Sequence, residues 1–186
     1  QMGTDIDGER PGDYSGTTVS LSSDGTIVAI GSDKNNGIAG DNSGHVRVYE
    51  FDETKWEQRG GDIDGKAVGD RFGGDISLSS DGTIIAIGAP HGNDDKGYVQ
   101  IYGFDGTGWV QSGPEIMKDG MKNIGTSLSL SSDGSTVATF GTNDRNNGVM
   151  VYDTGLLVTK VPDKFSVSHS GGDPYVYPVV GPCYKL

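Results

Sequence analysis

The chain has 186 residues and carries 14 Lys+Arg against 26 Asp+Glu, a formal charge of −12, with 32 glycines and one cysteine. Basic residues scattered singly on so acidic a chain exclude a nucleic-acid partner, because binding a phosphate backbone requires clustered Lys/Arg that displace counterions. No run approaches the roughly 20 apolar residues of a bilayer span, and the lone Cys183 closes no intramolecular disulfide, so neither direct membrane insertion nor a disulfide framework is expected.

Read from the N-terminus, the chain repeats itself. Asp5-Ile-Asp-Gly8 returns as Asp62-Ile-Asp-Gly65, and Gly12-Asp13 as Gly69-Asp70. Ser20-Leu-Ser-Ser-Asp-Gly-Thr26 returns as Ser77 to Thr83 and again as Ser129 to Ser135, with Asp24, Asp81 and Asp133 spaced 57 and 52 residues apart. Ala29-Ile-Gly31 matches Ala86-Ile-Gly88, Val46-Arg-Val-Tyr49 matches Val99-Gln-Ile-Tyr102 and Val149-Met-Val-Tyr152, and Thr54-Lys-Trp56 matches Thr107-Gly-Trp109. The glycine excess, 32 of 186 residues against a usual share of about 7%, is therefore periodic punctuation of a repeat.

Each unit predicts four short strands. Asp-Gly between apolar runs is a hairpin signal, and a type I′ turn at Asp24-Gly25 pairs Leu21 with Val28 and Val19 with Ile30. Those four then share a bulky face, with Ser20, Ser22 and Ala29 on a small one, so that neighbouring sheets interdigitate. The serines read as packing residues, not nucleophiles. The third strand alternates: Val46 and Val48, Val99 and Ile101, and Val149 and Val151 point one way, Arg47, Gln100 and Met150 the other. Trp56-Glu-Gln58 and Trp109-Val-Gln111 form a polar outer strand. No helix-period segment appears, so the fold class is all-β.

Four-stranded units recurring at about 50 residues are β-propeller blades, which bury their faces only against one another. The expected organisation is three tandem blades over 1–161 (about 1–58, 59–111 and 112–161) and a non-repeat C-terminal tail or cap over 162–186. Closed propellers use roughly four to eight blades, and Gln1-Met-Gly-Thr-Asp-Ile6 aligns with Gln58-Arg-Gly-Gly-Asp-Ile63. The expectation is a piece or processed product of a longer propeller, or copies that close a ring between them. Repeat 3 is degenerate: Thr139 replaces Ile30 and Ile87, Phe140 replaces Gly31, and Leu156 holds the Trp position, as in a capping unit. In the tail, Phe165-Ser-Val-Ser-His169 and Tyr175-Val-Tyr177 are candidate extra strands.

Phe72-Gly73, Gly88-Ala-Pro90 and Gly97-Tyr-Val-Gln-Ile-Tyr102, with Tyr14-Ser-Gly16 and Gly31-Ser32 as a looser copy, resemble FG-GAP repeats, the blades of integrin α-type propellers. The resemblance covers about residues 1–155. It implies a propeller, usually of seven blades, often extracellular and used in adhesion or ligand binding. Blades of that family often hold calcium in an Asp-x-Asp-x-Asp-Gly-x-x-Asp hairpin. Here the hairpin is cut to Ser23-Asp-Gly-Thr26, too short to supply the six to eight oxygens calcium takes, so those sites are not carried over.

Other carboxylates remain. Asp5, Asp7 and Asp13, and again Asp62, Asp64 and Asp70, are the calcium candidates, against which Asx turns between strands are the favoured reading. The loops Asp33–Gly44, His91–Gly97 and Thr142–Gly148 lack a ligand spacing and read as solvated turns. His45, His91 and His169 occupy non-equivalent repeat positions and suggest no metal pair. Recurring Trp56, Trp109, Tyr49, Tyr102 and Tyr152 read as packing. No catalytic residue and no cofactor is assigned, and no nucleophile elbow, phosphate loop or Cys/His cluster occurs. The functional expectation is a non-enzymatic protein-interaction or adhesion module, extracellular, on a cell surface or lumenal, engaging protein or glycan partners or further copies through loops and blade edges. The alternatives are a structural or accessory subunit docked in a larger assembly and, since paired carboxylates are set by space rather than spacing, a glycan-active enzyme.

Overall fold

A computed structural model describes residues 1–143, 145 and 147–155. The last residues assigned to repeat 3, the 162–186 tail, Leu156, Cys183 and His169 lie outside the described residues.

The first sheet runs β1 (Thr18–Leu21), β2 (Ile27–Ser32), β3 (His45–Phe51), β4 (Trp56–Gln58), with β5 (Ile63–Asp64) also pairing β3. The second is β6 (Asp75–Leu78), β7 (Ile84–Ala89), β8 (Tyr98–Phe104), β9 (Trp109–Gln111). The third is β10 (Leu128–Leu130), β11 (Thr136–Thr142), β12 (Asn147–Asp153). All named strand pairs are antiparallel meanders, as units joined by tight turns must be. Along the outer edge of β3, β4 pairs with its end and β5 with its beginning, His45 opposite Asp64. The edge strand thus breaks between Gln58 and Ile63, at Gly60-Gly61.

The register Leu21 with Val28 and Val19 with Ile30 is the predicted one. The turn type is not. Gly25, Gly82 and Gly134 have positive φ, whereas Asp24, Asp81 and Asp133 do not, which rules out type I′. Gly25 N–H closes a turn on Ser22 O (3.0 Å), and the aspartate builds the rest. Asp24 Oδ1 accepts from Ser22 Oγ (2.6 Å), Thr26 N (3.0 Å) and Thr26 Oγ1 (2.8 Å), while Ser22 Oγ accepts from Ile27 N (3.0 Å). Ser79, Asp81 and Thr83 repeat the network, as do Ser131, Asp133 and Ser135.

The sheets stack face to face. The bulky face of blade 2 (Ile76, Leu78, Ile85, Ile87) forms one core with Ile27, Ala29, Val46 and Val48 of blade 1. Leu130 and Val137 of blade 3 form a second with Ala86, Val99 and Ile101 of blade 2. The small-face serines tie the stack: Ser20 Oγ accepts from Leu78 N and Ser77 Oγ from Leu130 N, each at 3.0 Å. The turns are linked by Ser23 N to Ser80 O (2.9 Å) and Ser80 N to Ser132 O (2.8 Å). Glycine is required where blades meet, since a Cβ on Gly31 would collide with Gly73 and one on Gly88 with the Gly125 backbone. Repeat 3 has Phe140 at that position. There Gly125 N donates to buried Thr139 Oγ1 (3.1 Å), instead of to the carbonyl that Gly31 and Gly88 offer Gly16 and Gly73.

The indoles are structural staples, as expected. Trp56 Nε1 donates to Met2 O (3.0 Å) and Trp109 Nε1 to Arg59 O (2.9 Å), each ring packed on Phe51 or Phe104 at 5.2 or 5.3 Å between centroids.

Candidate functional site

Two kinds of feature are left after the fold has used its residues: open sheet faces at the ends of the described stack, and one buried polar cluster.

The first open face belongs to blade 1. Val19 and Leu21 are 63% and 58% exposed, whereas their counterparts 57 residues on, Ile76 and Leu78, are 5% and 7% exposed. The second belongs to blade 3, where Val149 and Val151 are 69% and 65% exposed against 0% and 2% for Val99 and Ile101. Among the described residues, then, Val19 and Leu21 stand open at one end and Val149 and Val151 at the other, while Ile30, on the same face as Val19, is buried. The faces are not identical in shape. Phe140 lies on the same face of blade 3 as Val149, its register partner. Blade 1 has Ser15 at the repeat position of Phe72, which is fully buried beside Tyr98 and Tyr102.

The six calcium candidates are dispersed. Asp5 accepts from Gln1 Nε2 (2.6 Å), Asp13 is buried and accepts from Asn35 Nδ2 (3.0 Å), and Asp70 is buried and accepts from the Tyr98 hydroxyl (2.7 Å). Burial, then the Asp70 contact, pushes the Tyr98 hydroxyl far above the ordinary tyrosine range. Asp7 contributes its backbone carbonyl to Arg47 Nη2 (3.0 Å). None of these pairings is the Asx turn weighed against calcium in the sequence: three join side chains and the fourth uses the Asp7 backbone carbonyl.

Asp62 and Asp64 are placed differently. They follow the break in the outer strand, beside the start of β3, and there Asp62 meets His45 and Glu9. His45 is 2% exposed, and its Nδ1 lies 3.9 Å from Asp62 Oδ2 and 4.0 Å from Glu9 Oε2. The three ligand atoms lie within 4.8 Å of one another, the one such His/Cys/Asp/Glu group among the described residues. Burial holds the His45 imidazole below its usual pKa against the pull of Asp62 and Glu9, and burial raises Asp64, with Asp62 adding to it. The pocket over the cluster is lined by Arg10, Asn36, Gly37 and Ile38. Neither Glu9 nor His45 was picked out by repeat spacing as a ligand. The signal available was a substitution within the repeat, since Glu9 stands where the second unit has Lys66.

The aspartates whose carboxyls are lowered cap turns. Hydrogen bonds from Ser22 and Thr26 lower Asp24 to about 2, and those from Thr54 and Lys55 lower Asp52 to about 2. Asp105 is likewise lowered, by the amides of Thr107 and Gly108 and the Thr107 hydroxyl.

No protein-family model matches the chain, and no curated protein matches it. Solved structures do. Hydrazine synthase from Kuenenia stuttgartiensis aligns with a TM-score of 0.50 at 14% identity, over 73% of this chain and 38% of that one. The β-propeller domain of the trilobed protease from Pyrococcus furiosus gives 0.45 at 16% identity, over 74% and 38%. TolB from Acinetobacter baumannii gives 0.45 at 15%, over 77% and 30%. The chain thus spans between 30% and 38% of these structures. Identity this low bears on the fold alone, and the fold is a partial β-propeller.

Proposed function

We propose that the chain is a non-enzymatic protein-interaction module whose open blade faces receive further blade-like sheets. The observation that carries this is the contrast between equivalent positions: Leu21 is 58% exposed where Leu78 is 7% exposed. Contiguous exposed apolar residues on a sheet face mark an interaction surface, and the cover that fits this one is the small, branched face that blade 1 presents to blade 2. A second copy offers such a face in Ala138, Val149 and Val151. Phe140, standing where Gly31 and Gly88 admit a neighbouring backbone, holds that association to a weak one. The ionisation-shifted turn aspartates support the non-enzymatic part of the proposal, because their oxygens are occupied by backbone and hydroxyl donors. The resemblance to FG-GAP blades supports an adhesive role in an extracellular, cell-surface or lumenal setting. An accessory subunit of a larger assembly would use the same faces with a different partner.

Sedimentation velocity over a concentration series tests the reading. The expected result is concentration-dependent association that Leu21→Asp abolishes and Phe140→Gly tightens at least severalfold, with circular dichroism unchanged. Association indifferent to both substitutions, or a monomer throughout, contradicts it.

A further inference from the structure

The first two repeats solve the same local problem in opposite ways. Glu9 and Lys66 are 57 residues apart, and His45 and Tyr98, like Asp62 and Glu115, are 53 apart, the offsets of the surrounding repeat. The three positions therefore correspond as sets: Glu9, His45 and Asp62 in blade 1, and Lys66, Tyr98 and Glu115 in blade 2. In blade 2 the cation is part of the chain. The Lys66 ammonium is bonded to the Glu115 carboxylate and sits 4.2 Å from the Tyr98 ring centroid. Burial works against the Glu115 charge, but the bond and charge of Lys66, together with hydrogen bonds from Gln100 and Asn93, more than offset it and hold the carboxyl below its usual range.

In blade 1 a carboxylate replaces that ammonium and an imidazole replaces the phenol. His45, 2% exposed, makes no hydrogen bond through either ring nitrogen among the described residues. Its Nδ1 faces the Glu9 and Asp62 carboxylates at 4.0 and 3.9 Å, beyond hydrogen-bond range. The two carboxylates repel each other across it. Asp64, the register partner of His45, adds a third negative charge to that face. Against these stands Arg47, whose Nη1 is 4.0 Å from Glu9 Oε1 and whose Nη2 is bonded to Asp7 O. With His45 neutral, three carboxylates against Arg47 and the pocket-lining Arg10 leave a local formal charge of −3 + 2 = −1.

We propose that blade 1 binds a divalent first-row cation of the zinc type through His45 Nδ1, Glu9 and Asp62, the ion standing where blade 2 has the Lys66 ammonium. A mixed nitrogen and carboxylate set suits zinc over calcium, which prefers oxygens alone and more of them. Bonds of about 2.0–2.2 Å place ligand atoms roughly 3.2–3.6 Å apart, so each carboxylate closes on the buried imidazole from its present 4.0 or 3.9 Å. Asn35 Nδ2 already holds Glu9 Oε2 at 3.2 Å, orienting one ligand from behind as outer partners of metal sites do. The remaining coordination position faces the pocket lined by Arg10 and Ile38. Such an ion fastens the N-terminal arm to the outer edge of β3. This inference is independent of the open-face reading.

Zinc titration of the full chain, by calorimetry and by competition with a chromophoric chelator, tests it. The background substitutions His169→Gln and Cys183→Ser remove the thiol and imidazole of the tail. The expected result is one equivalent of saturable zinc in that background, weakened at least tenfold by Glu9→Gln and by Asp62→Asn and untouched by His91→Gln. Calcium is expected to bind at least a hundredfold less tightly. His45→Gln abolishes binding, and the exposed Glu9 and Asp62 variants carry the test if that variant does not fold. No saturable binding, binding that vanishes with the tail substitutions, or calcium binding of equal strength overturns the proposal.

Discussion

At the scale of the residue, aspartate builds two kinds of turn that join consecutive strands within a blade. Asp24, Asp81 and Asp133 close the first hairpin of each blade, and Asp52 and Asp105 the third-to-fourth strand turn, where Asp52 Oδ1 takes Thr54 N (2.9 Å), Thr54 Oγ1 (2.6 Å) and Lys55 N (2.8 Å). Five of the 26 acidic residues are thus a requirement of turn geometry. The linkage sign follows from the depressed carboxyls. Asp24 and Asp52 titrate at about 2 when folded and near 3.8 when unfolded. Their contribution is therefore fully present above about pH 4 to 5 and is lost as pH falls toward 2. Half-buried Asp75, whose carboxyl burial raises, acts in the opposite sense as it protonates. Urea midpoints measured between pH 5 and pH 2 are expected to fall, and to fall less steeply in an Asp24→Ala, Asp52→Ala variant. An equal fall in both proteins contradicts the capping account.

At the scale of the element, identical sequence positions have different energies according to which blade they occupy. Leu78, packed between blades, is expected to cost about 2–5 kcal/mol on truncation to alanine, and Leu21, its exposed counterpart, within about 0.5 kcal/mol; denaturant unfolding of the two variants measures the difference. The strands and their register were legible because alternating apolar residues and Asp-Gly determine pairing almost unaided. The turn type was not legible from Asp-Gly alone. Ser22 and Thr26 supply hydroxyls to Asp24, and that local network outcompetes the left-handed aspartate a type I′ turn needs; the Ser-x-Asp-x-Thr spacing was its signal. The Glu9, His45 and Asp62 cluster escaped for a different reason. It joins the N-terminal arm, the start of β3 and the strand break before β5, and a search for a histidine shared by all blades passes over a site made by one blade departing from the pattern.

At the scale of the whole molecule, the described residues form a stack in which blade 2 is covered on both sides and apolar residues on the outer faces of blades 1 and 3 are exposed. Amide hydrogen exchange on the full chain at low and high concentration tests that account most directly. The account predicts that raising the concentration adds protection in Thr18–Leu21 and Asn147–Asp153 while Ile84–Ala89, already covered on both sides, exchanges at an unchanged slow rate. Protection that is independent of concentration in both end strands, or that grows in the middle blade instead, would contradict it.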